Sequence, residues 1–157
     1  MGAVCARRVL LGATVAEAEA LWYDLDRWPS FVDGFGSVVR IKGEWPKPGT
    51  RLIWEARQGG RGRVEETIVS YVPGVSCSVR VGDPQLFGTQ AVRFEALAGE
   101  QEGCAVTIGL DYKLESRPGF VGALTDLFFV RRQLRESLRR TLDRLAVELR
   151  ADRELAS

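Results

Sequence analysis

The last quarter of the chain, Gly119 to about Arg150, reads as one long amphipathic helix. Steps of 100° per residue put Phe120, Leu124, Leu127, Leu134, Leu138, Leu142, Leu145 and Leu149 on one stripe, with Arg132, Glu136, Arg139, Arg140, Asp143 and Arg144 on the other side. At 1.5 Å rise per residue such a helix runs roughly 45 Å, longer than a small domain is wide, so a whole sheet is needed to cover its apolar stripe.

The middle of the sequence supplies that sheet. From Gly36 the apolar period becomes two, and turn clusters at Pro46 to Gly49, Gly59 to Gly62, Pro73 with Gly74, Asp83 with Pro84 and Gly99 to Gly103 divide six consecutive antiparallel strands. The residues expected to face the helix are Val39 and Ile41; Leu52, Trp54 and Ala56; Val64, Ile68 and Val72; Val75, Cys77, Val79 and Val81; Val92, Phe94 and Ala96; and Val106, Ile108, Leu110, Tyr112 and Leu114. Their alternate neighbours, among them Arg51, Glu55, Arg57, Arg80, Arg93, Glu95 and Lys113, are polar, the mark of a sheet with one wet and one covered face.

Ahead of the meander, Val4 to Leu11 reads as a first strand, which brings the sheet to seven. Thr14 with Glu17 makes a capping box for a helix over Val15 to Tyr23, and Asp26 is placed to cap a second, very short helix through Trp28, Pro29 and Phe31. Trp22, Trp28 and Phe31 are expected to plug one end of the sheet, while Trp45 in its turn is expected to be exposed. The fold class is therefore α+β: a curved antiparallel sheet of seven strands, two short helices after strand one, and a long C-terminal helix in its grip.

Length and composition limit the functions available. A chain of 157 residues is expected to be a single domain, 1–157, able to bury its own core. Net charge is +1, so no global field recruits DNA. Cys5, Cys77 and Cys104 are odd in number and widely spaced, which points to free thiols in a reducing compartment and to a cytoplasmic protein. The apolar run near the start is too short for a signal peptide, and no stretch has transmembrane length.

The order of elements resembles the helix-grip fold of the START-like, or SRPBCC, superfamily. Val15, Glu17, Leu21 and Trp22, followed by the run Asp24 to Val32 with its Trp28, Pro29 and Phe31, are similar to the signature of that group. Tyr71 to Gly74 ahead of a strand, and Arg131 to Leu145 near the end, fit it as well. Within the superfamily the chain is most similar to the polyketide cyclase/dehydrase and lipid-transport group, with coenzyme Q carriers and ribosome-associated toxins as near relatives. The resemblance implies a hydrophobic small molecule, such as a lipid, isoprenoid or aromatic polyketide, held between sheet and helix. A cyclase, aromatase or dehydratase in the same cavity is the alternative, and a protein or RNA interaction module through Arg131, Arg132, Arg135, Arg139 and Arg140 is the third. A fold shared by such different functions licenses no reaction by itself.

Chemistry has to come from the residues aimed inward. With no histidine anywhere, the commonest general base, the Ser/His and Cys/His arrangements and most catalytic zinc sites are gone, and neither a metal nor a cofactor is expected. Any enzyme here would be a cyclase/dehydrase-like lyase working without metal or histidine. Glu66, between Val64 and Ile68, is expected to point inward as a carboxyl with a raised pKa; Tyr112 and Arg131 are the other candidates for chemistry. The expected ligand-binding set is Trp54, Glu66, Cys77, Val79, Phe94, Tyr112, Leu124, Phe128, Arg131 and Arg135. Arg131 and Arg135 interrupt the apolar stripe, so each is expected to pair with Glu66 or another carboxylate, to reach out past the sheet edge, or to meet an anionic or carbonyl end of the ligand. Beyond that ligand the expected partners are few: no DNA, and at most transient contact with a membrane.

Overall fold

The computed structural model describes residues 2–99, 101–115 and 123–157, with the side chains of 123–127 outside the description. Seven strands form one antiparallel sheet: β1 Gly2–Leu11, β2 Phe35–Lys42, β3 Arg51–Ala56, β4 Arg63–Val72, β5 Ser76–Gly82, β6 Leu86–Ala96 and β7 Gly103–Leu114, in the spatial order β1-β7-β6-β5-β4-β3-β2. Helices α1 (Val15–Tyr23) and α2 (Trp28–Phe31) stand between β1 and β2, joined by a 3₁₀ turn, and α3 (Ala123–Ala156) ends the chain. This is the helix-grip α+β architecture, with α3 reaching further than Arg150.

Local chemistry explains the first elements. Thr14 Oγ1 accepts the Glu17 N–H at 3.0 Å while Glu17 Oε1 accepts the Thr14 N–H at 3.3 Å, the reciprocal pair that starts α1. The second cap is Asp24, not Asp26: its carboxylate accepts the Asp26 N–H at 3.1 Å and turns the chain into the 3₁₀ turn. Trp28 then buries its ring and donates Nε1–H to the Trp22 carbonyl at 2.8 Å, which fixes α2 against α1. Trp45, expected in water, instead donates to the Tyr23 carbonyl at 2.8 Å and meets Trp28 edge to face at 5.7 Å. An indole N–H within reach of a free helix-end carbonyl is worth more packed than solvated.

Alternation along the strands holds for Leu52, Trp54, Val64, Ile68, Cys77, Val79, Val81, Val92, Phe94, Val106, Ile108, Leu110 and Tyr112, all buried. It fails at Val39, Ile41, Val72, Val75 and Ala96, which are exposed. In β2 two register shifts, between Phe35 and Ser37 and between Val38 and Arg40, break the parity, and this strand is the uncovered edge of the sheet. In β4 a shift between Ile68 and Ser70 reverses the parity, so Tyr71 takes the inner place opposite Cys77 and Val72 turns out. Val75 and Ala96 sit where strands run into turns, beyond the cover.

α3 packs on β1, α1 and α2 with Leu138, Leu142, Leu145 and Leu149, all buried. Phe120, Leu124 and Leu127 of the expected stripe lie outside the described side chains. The polar side of the helix is more than a solvated face. Arg140 and Arg144 reach Asp33 at 3.0 and 3.2 Å, with Ser137 Oγ donating to the same carboxylate at 2.7 Å; Arg27 bridges Glu148 at 2.7 Å and Asp152 at 3.0 Å; and Arg8 meets Asp143 at 2.7 Å. Burial would raise the Asp33 pKa, but the hydrogen bonds from Arg140 and Ser137 and the two guanidinium charges bring it below the ordinary 3.8.

Leu145→Asp should abolish cooperative melting, because a buried leucine worth about 2 kcal/mol would become an unpaired charge costing several more; Arg139→Asp, on an exposed position, should melt like the parent. Asp33→Asn should cost about 1–2 kcal/mol at neutral pH through weakened charged hydrogen bonds. Because Asp33 is held below its unfolded value, this contribution is present above about pH 3.8 and fades as pH falls through the lower folded pKa, so denaturant titrations of parent and variant should converge in strong acid.

Candidate functional site

Strand register sets the inner face in rungs, because residues directly opposite across an antiparallel sheet share a side. One rung runs Leu52, Glu66, Val81, Gly88, Tyr112 and Gly2; the next Ile68, Val79, Gln90, Leu110 and Val4; the next Tyr71, Cys77, Val92, Ile108 and Ala6. Near the last of these α1 packs on β6 and β7, while α2 packs on the start of β2, where Arg57 of the β3–β4 hairpin donates to the Pro29 carbonyl at 3.4 Å. In the first rung Glu66, Val81 and Tyr112 stand four, two and three residues from the β3–β4 hairpin, the β5–β6 turn and Glu115.

Glu66, Cys77 and Val79 come together as the sequence pattern implies. With Trp22, Tyr23, Trp28, Trp45, Gln90 and Val92 they line a cavity of about 20 Å³, counted as space open to the centre of a water molecule. That is room for a single water. Glu66 is 6% exposed, and burial is the main cause that pushes its pKa from 4.5 up to about 7; the Arg61 charge and the Trp54 indole N–H pull the other way. The Trp54 N–H comes near enough to act on the carboxyl yet finds no acceptor in full hydrogen-bond geometry.

Arg61, not Arg131 or Arg135, is the guanidinium that acts on Glu66. It stands on the β3–β4 hairpin and donates Nε–H to Asp83 Oδ2 at 2.6 Å, while Asp83 Oδ1 takes the Gln85 and Leu86 N–H groups at 2.8 and 2.9 Å. One ion pair thus ties the two loops beside the Glu66 rung to each other.

In the same cavity the Tyr23 hydroxyl is buried and has no partner in full hydrogen-bond geometry, though the Cys77 thiol lies near enough to act on it; Tyr71 stands edge-on at 5.3 Å and Phe94 at 6.3 Å. Burial, with the neighbouring Cys77, Glu19 and Tyr71, raises its pKa, so it stays a proton donor at any working pH. The Cys77 thiol is pushed up to about 11, chiefly by burial, with the Glu66 charge adding to it and the Tyr23 hydroxyl opposing it, a shift that favours the protonated thiol.

The other expected site residues fall elsewhere. Trp54, Phe94 and Tyr112 are buried on the same face, outside this cavity. A Cβ on Gly2 would stand 2.5 Å from Tyr112 Cζ, so the Tyr112 ring leans over β1, away from Glu66, which is three strands or roughly 14 Å off. Phe128 and Arg135, expected to face inward, are exposed instead, and Arg131 reaches past the sheet edge to donate to the Ala3 carbonyl at 3.3 Å. The wheel angle sets both arginines near the leucine stripe, but long stems carry their charge to water or to an edge carbonyl before they bury it. The Leu124 side chain lies outside the description.

Four contributors escape sequence reasoning: Tyr23, Trp45, Gln90 and Arg61. Gln90 was within reach, since counting back by two from Val92 passes through it. Tyr23 and Trp45 arrive by tertiary packing of helix and loop, which no period encodes. Among the described residues no three histidine, cysteine or acidic groups stand together as a metal site, and no helix is long and apolar enough to cross a membrane.

The architecture recurs in solved structures of low sequence identity. A START superfamily protein from Mycobacterium smegmatis superposes with a TM-score of 0.70 at 12% identity, covering 95% of this chain and 97% of its own. A point mutant of norcoclaurine synthase from Thalictrum flavum, in complex with a transition-state analogue, gives 0.65 at 13% identity and 97% of both chains. The di-domain aromatase/cyclase StfQ of the steffimycin biosynthetic pathway gives 0.72 at 17% identity over 97% of this chain and 52% of that one. No curated protein matches in sequence. The family model described as polyketide cyclase / dehydrase and lipid transport matches residues 4–150, and with nearly its whole length inside that match the chain belongs to this family.

Proposed function

We propose that the protein takes up an apolar small molecule with one polar end between sheet and α3, and that Glu66 meets the polar end. The observation that carries this is a single buried carboxyl on its rung, its pKa brought to about 7, beside an indole N–H and within one small cavity of a tyrosine hydroxyl, neither of which has a partner in full hydrogen-bond geometry. Each such group costs about 1–3 kcal/mol when left unmade in the interior, a cost a ligand oxygen would offset. Protonated Glu66 donates to a ligand carbonyl; ionised Glu66 accepts from a hydroxyl. The anionic ligand end expected from Arg131 and Arg135 has no support here, because both arginines stand outside and a carboxylate would face Glu66 with like charge.

A second reading, cyclisation or dehydration of a polyketide-like substrate, draws on the same pKa. A carboxyl poised near 7 suits a general acid and base. As base it takes the proton from a carbon between two carbonyls, and as acid it returns that proton to a departing hydroxyl, which leaves as water. The kinship with a family described by both cyclases and lipid transport supports either job, and two neighbours are themselves titled as a synthase and an aromatase/cyclase.

Titration calorimetry with 2-naphthol and its methyl ether tests the first reading. The parent should prefer the naphthol, and Glu66→Leu should lose that preference, about 5- to 150-fold for one hydrogen bond to a buried polar group. An unchanged preference would remove Glu66 from the site, and no binding of either probe would sink the carrier reading. Turnover of a β-polyketone by the parent, lost in a Glu66→Gln protein that still binds it, would establish the second reading.

The pH dependence of stability tests Glu66 independently of any ligand. Its folded pKa lies above the unfolded one, so the protonated form favours folding; the contribution is complete below about pH 4.5 and is lost as pH rises through 7. Parent stability should therefore fall by an amount on the order of 3 kcal/mol from pH 4.5 to 8 from this group alone. Glu66→Gln should flatten that slope and melt higher than the parent at pH 8.

A further inference from the structure

The first described turns of α3 carry a surface that neither the packing nor the interior site uses. Phe128 is 70% exposed and Phe129 63%. Phe128, Arg132, Arg135 and Arg139 stand at i, i+4, i+7 and i+11, which the helical repeat sets in one stripe, and all four are exposed. Glu136 is the single carboxylate from Phe128 to Arg139, and Arg132 holds it at 3.1 Å. Among the described residues Arg135 and Arg139 take part in no ion pair, whereas Arg140, Arg144 and Arg153 further along each meet a carboxylate. A chain of net charge +1 thus concentrates unbalanced positive charge beside two exposed phenylalanines.

We propose that this stripe docks the protein on an anionic lipid surface, with Phe128 and Phe129 entering the boundary between headgroups and acyl chains and Arg132, Arg135 and Arg139 meeting lipid phosphates. Neighbouring phenylalanines are 100° apart around the helix, which makes a wedge suited to an isotropic apolar layer. A nucleic acid offers its bases along one track, and rings splayed in this way do not follow it. A second copy of the chain, paired antiparallel about a two-fold axis at the middle of the stripe, would set Arg132 against Arg135 and Phe128 against Arg139 and bring no carboxylate to them. The stripe lies near the start of α3, where Arg131 reaches the Ala3 carbonyl of β1; Ala3 pairs with Asp111 toward the end of β7, the same end of the sheet as the loops joined by Arg61 and Asp83. Docking there brings the Glu66 end of the interior toward the lipid.

Cosedimentation of the full chain with vesicles of phosphatidylcholine alone, and of phosphatidylcholine mixed with phosphatidylglycerol, tests the proposal. The parent should partition onto the mixed vesicles and not onto the neutral ones, and added salt should release it. The exposed double variant Arg135→Gln/Arg139→Gln should keep the parent's melting point and bind the mixed vesicles about thirtyfold more weakly. Phe128→Ser/Phe129→Ser should weaken binding with the charge intact. Equal binding to both vesicle types, no loss in the folded arginine variant, or retention on polyuridylate without any binding to mixed vesicles would overturn it.

Discussion

The leucine stripe of α3 against the inner face of the sheet is the contact on which the remaining structure depends. It is apolar and therefore without direction: burial of Leu138, Leu142, Leu145 and Leu149 says which side of the helix goes down, not where along or around its axis it settles. The polar side supplies that. Asp33 gathers Arg140, Arg144 and Ser137, Arg27 spans Glu148 and Asp152, and Arg8 takes Asp143. Each contact is partly exposed and small in energy, yet together they come from β1, the 3₁₀ turn and the approach to β2, so they triangulate the helix. All of them lie from Ser137 onward. The helix is fixed at the end where α1 and α2 plug the sheet.

That asymmetry runs through the interior. At the plugged end the aromatic residues Trp22, Trp28, Phe31 and Trp45 leave no room beyond one water-sized space. Against that same space the inner face carries Glu66, on a rung whose next members are a valine and a glycine. A carboxyl forced inward by strand parity is a cost to stability, and the fold lessens it only in part: Arg61 acts on it from a hairpin, but Asp83 holds that arginine on the surface side. The Arg61 guanidinium thus joins the β3–β4 hairpin to the β5–β6 turn through Asp83 and lies within electrostatic reach of Glu66.

Much of this was legible in the sequence because it rests on periods. The 3.6-residue stripe, the two-residue alternation, the Thr14–Glu17 capping box and the inward parity of Glu66 are patterns of residue type at fixed spacing. The failures are of another kind. A bulge adds one residue to a strand without any signature of composition, so Val72 and Val39 kept their expected parity in the sequence and lost it in the sheet. Arg140 and Asp143 were legible as polar positions, but not as partners of Asp33 and Arg8, which are more than a hundred residues distant. Wheel angle placed Arg131 and Arg135 on the apolar stripe and could not show that flexible stems carry their ends outside it. Tyr23 and Trp45 joined the site through packing between a helix end and a loop.

The fold constrains its ligand chemistry weakly, and the reason is physical. Covering a sheet with a helix asks only for an apolar stripe, alternation and a plug, and many sequences meet those terms; neighbours at 12 to 17% identity keep the architecture. Inward positions outside those contacts are free of that demand, because a polar group there is tolerated once something, ligand or water, completes its hydrogen bonds. In this chain those positions hold Glu66, with Trp54 beside it, Gln90 on the next rung and Tyr23 across the cavity, and no histidine. One carboxyl whose pKa burial raises to about 7, flanked by indole, amide and hydroxyl donors, is the feature on which the proposed reading rests, a neutral oxygen function on an apolar molecule.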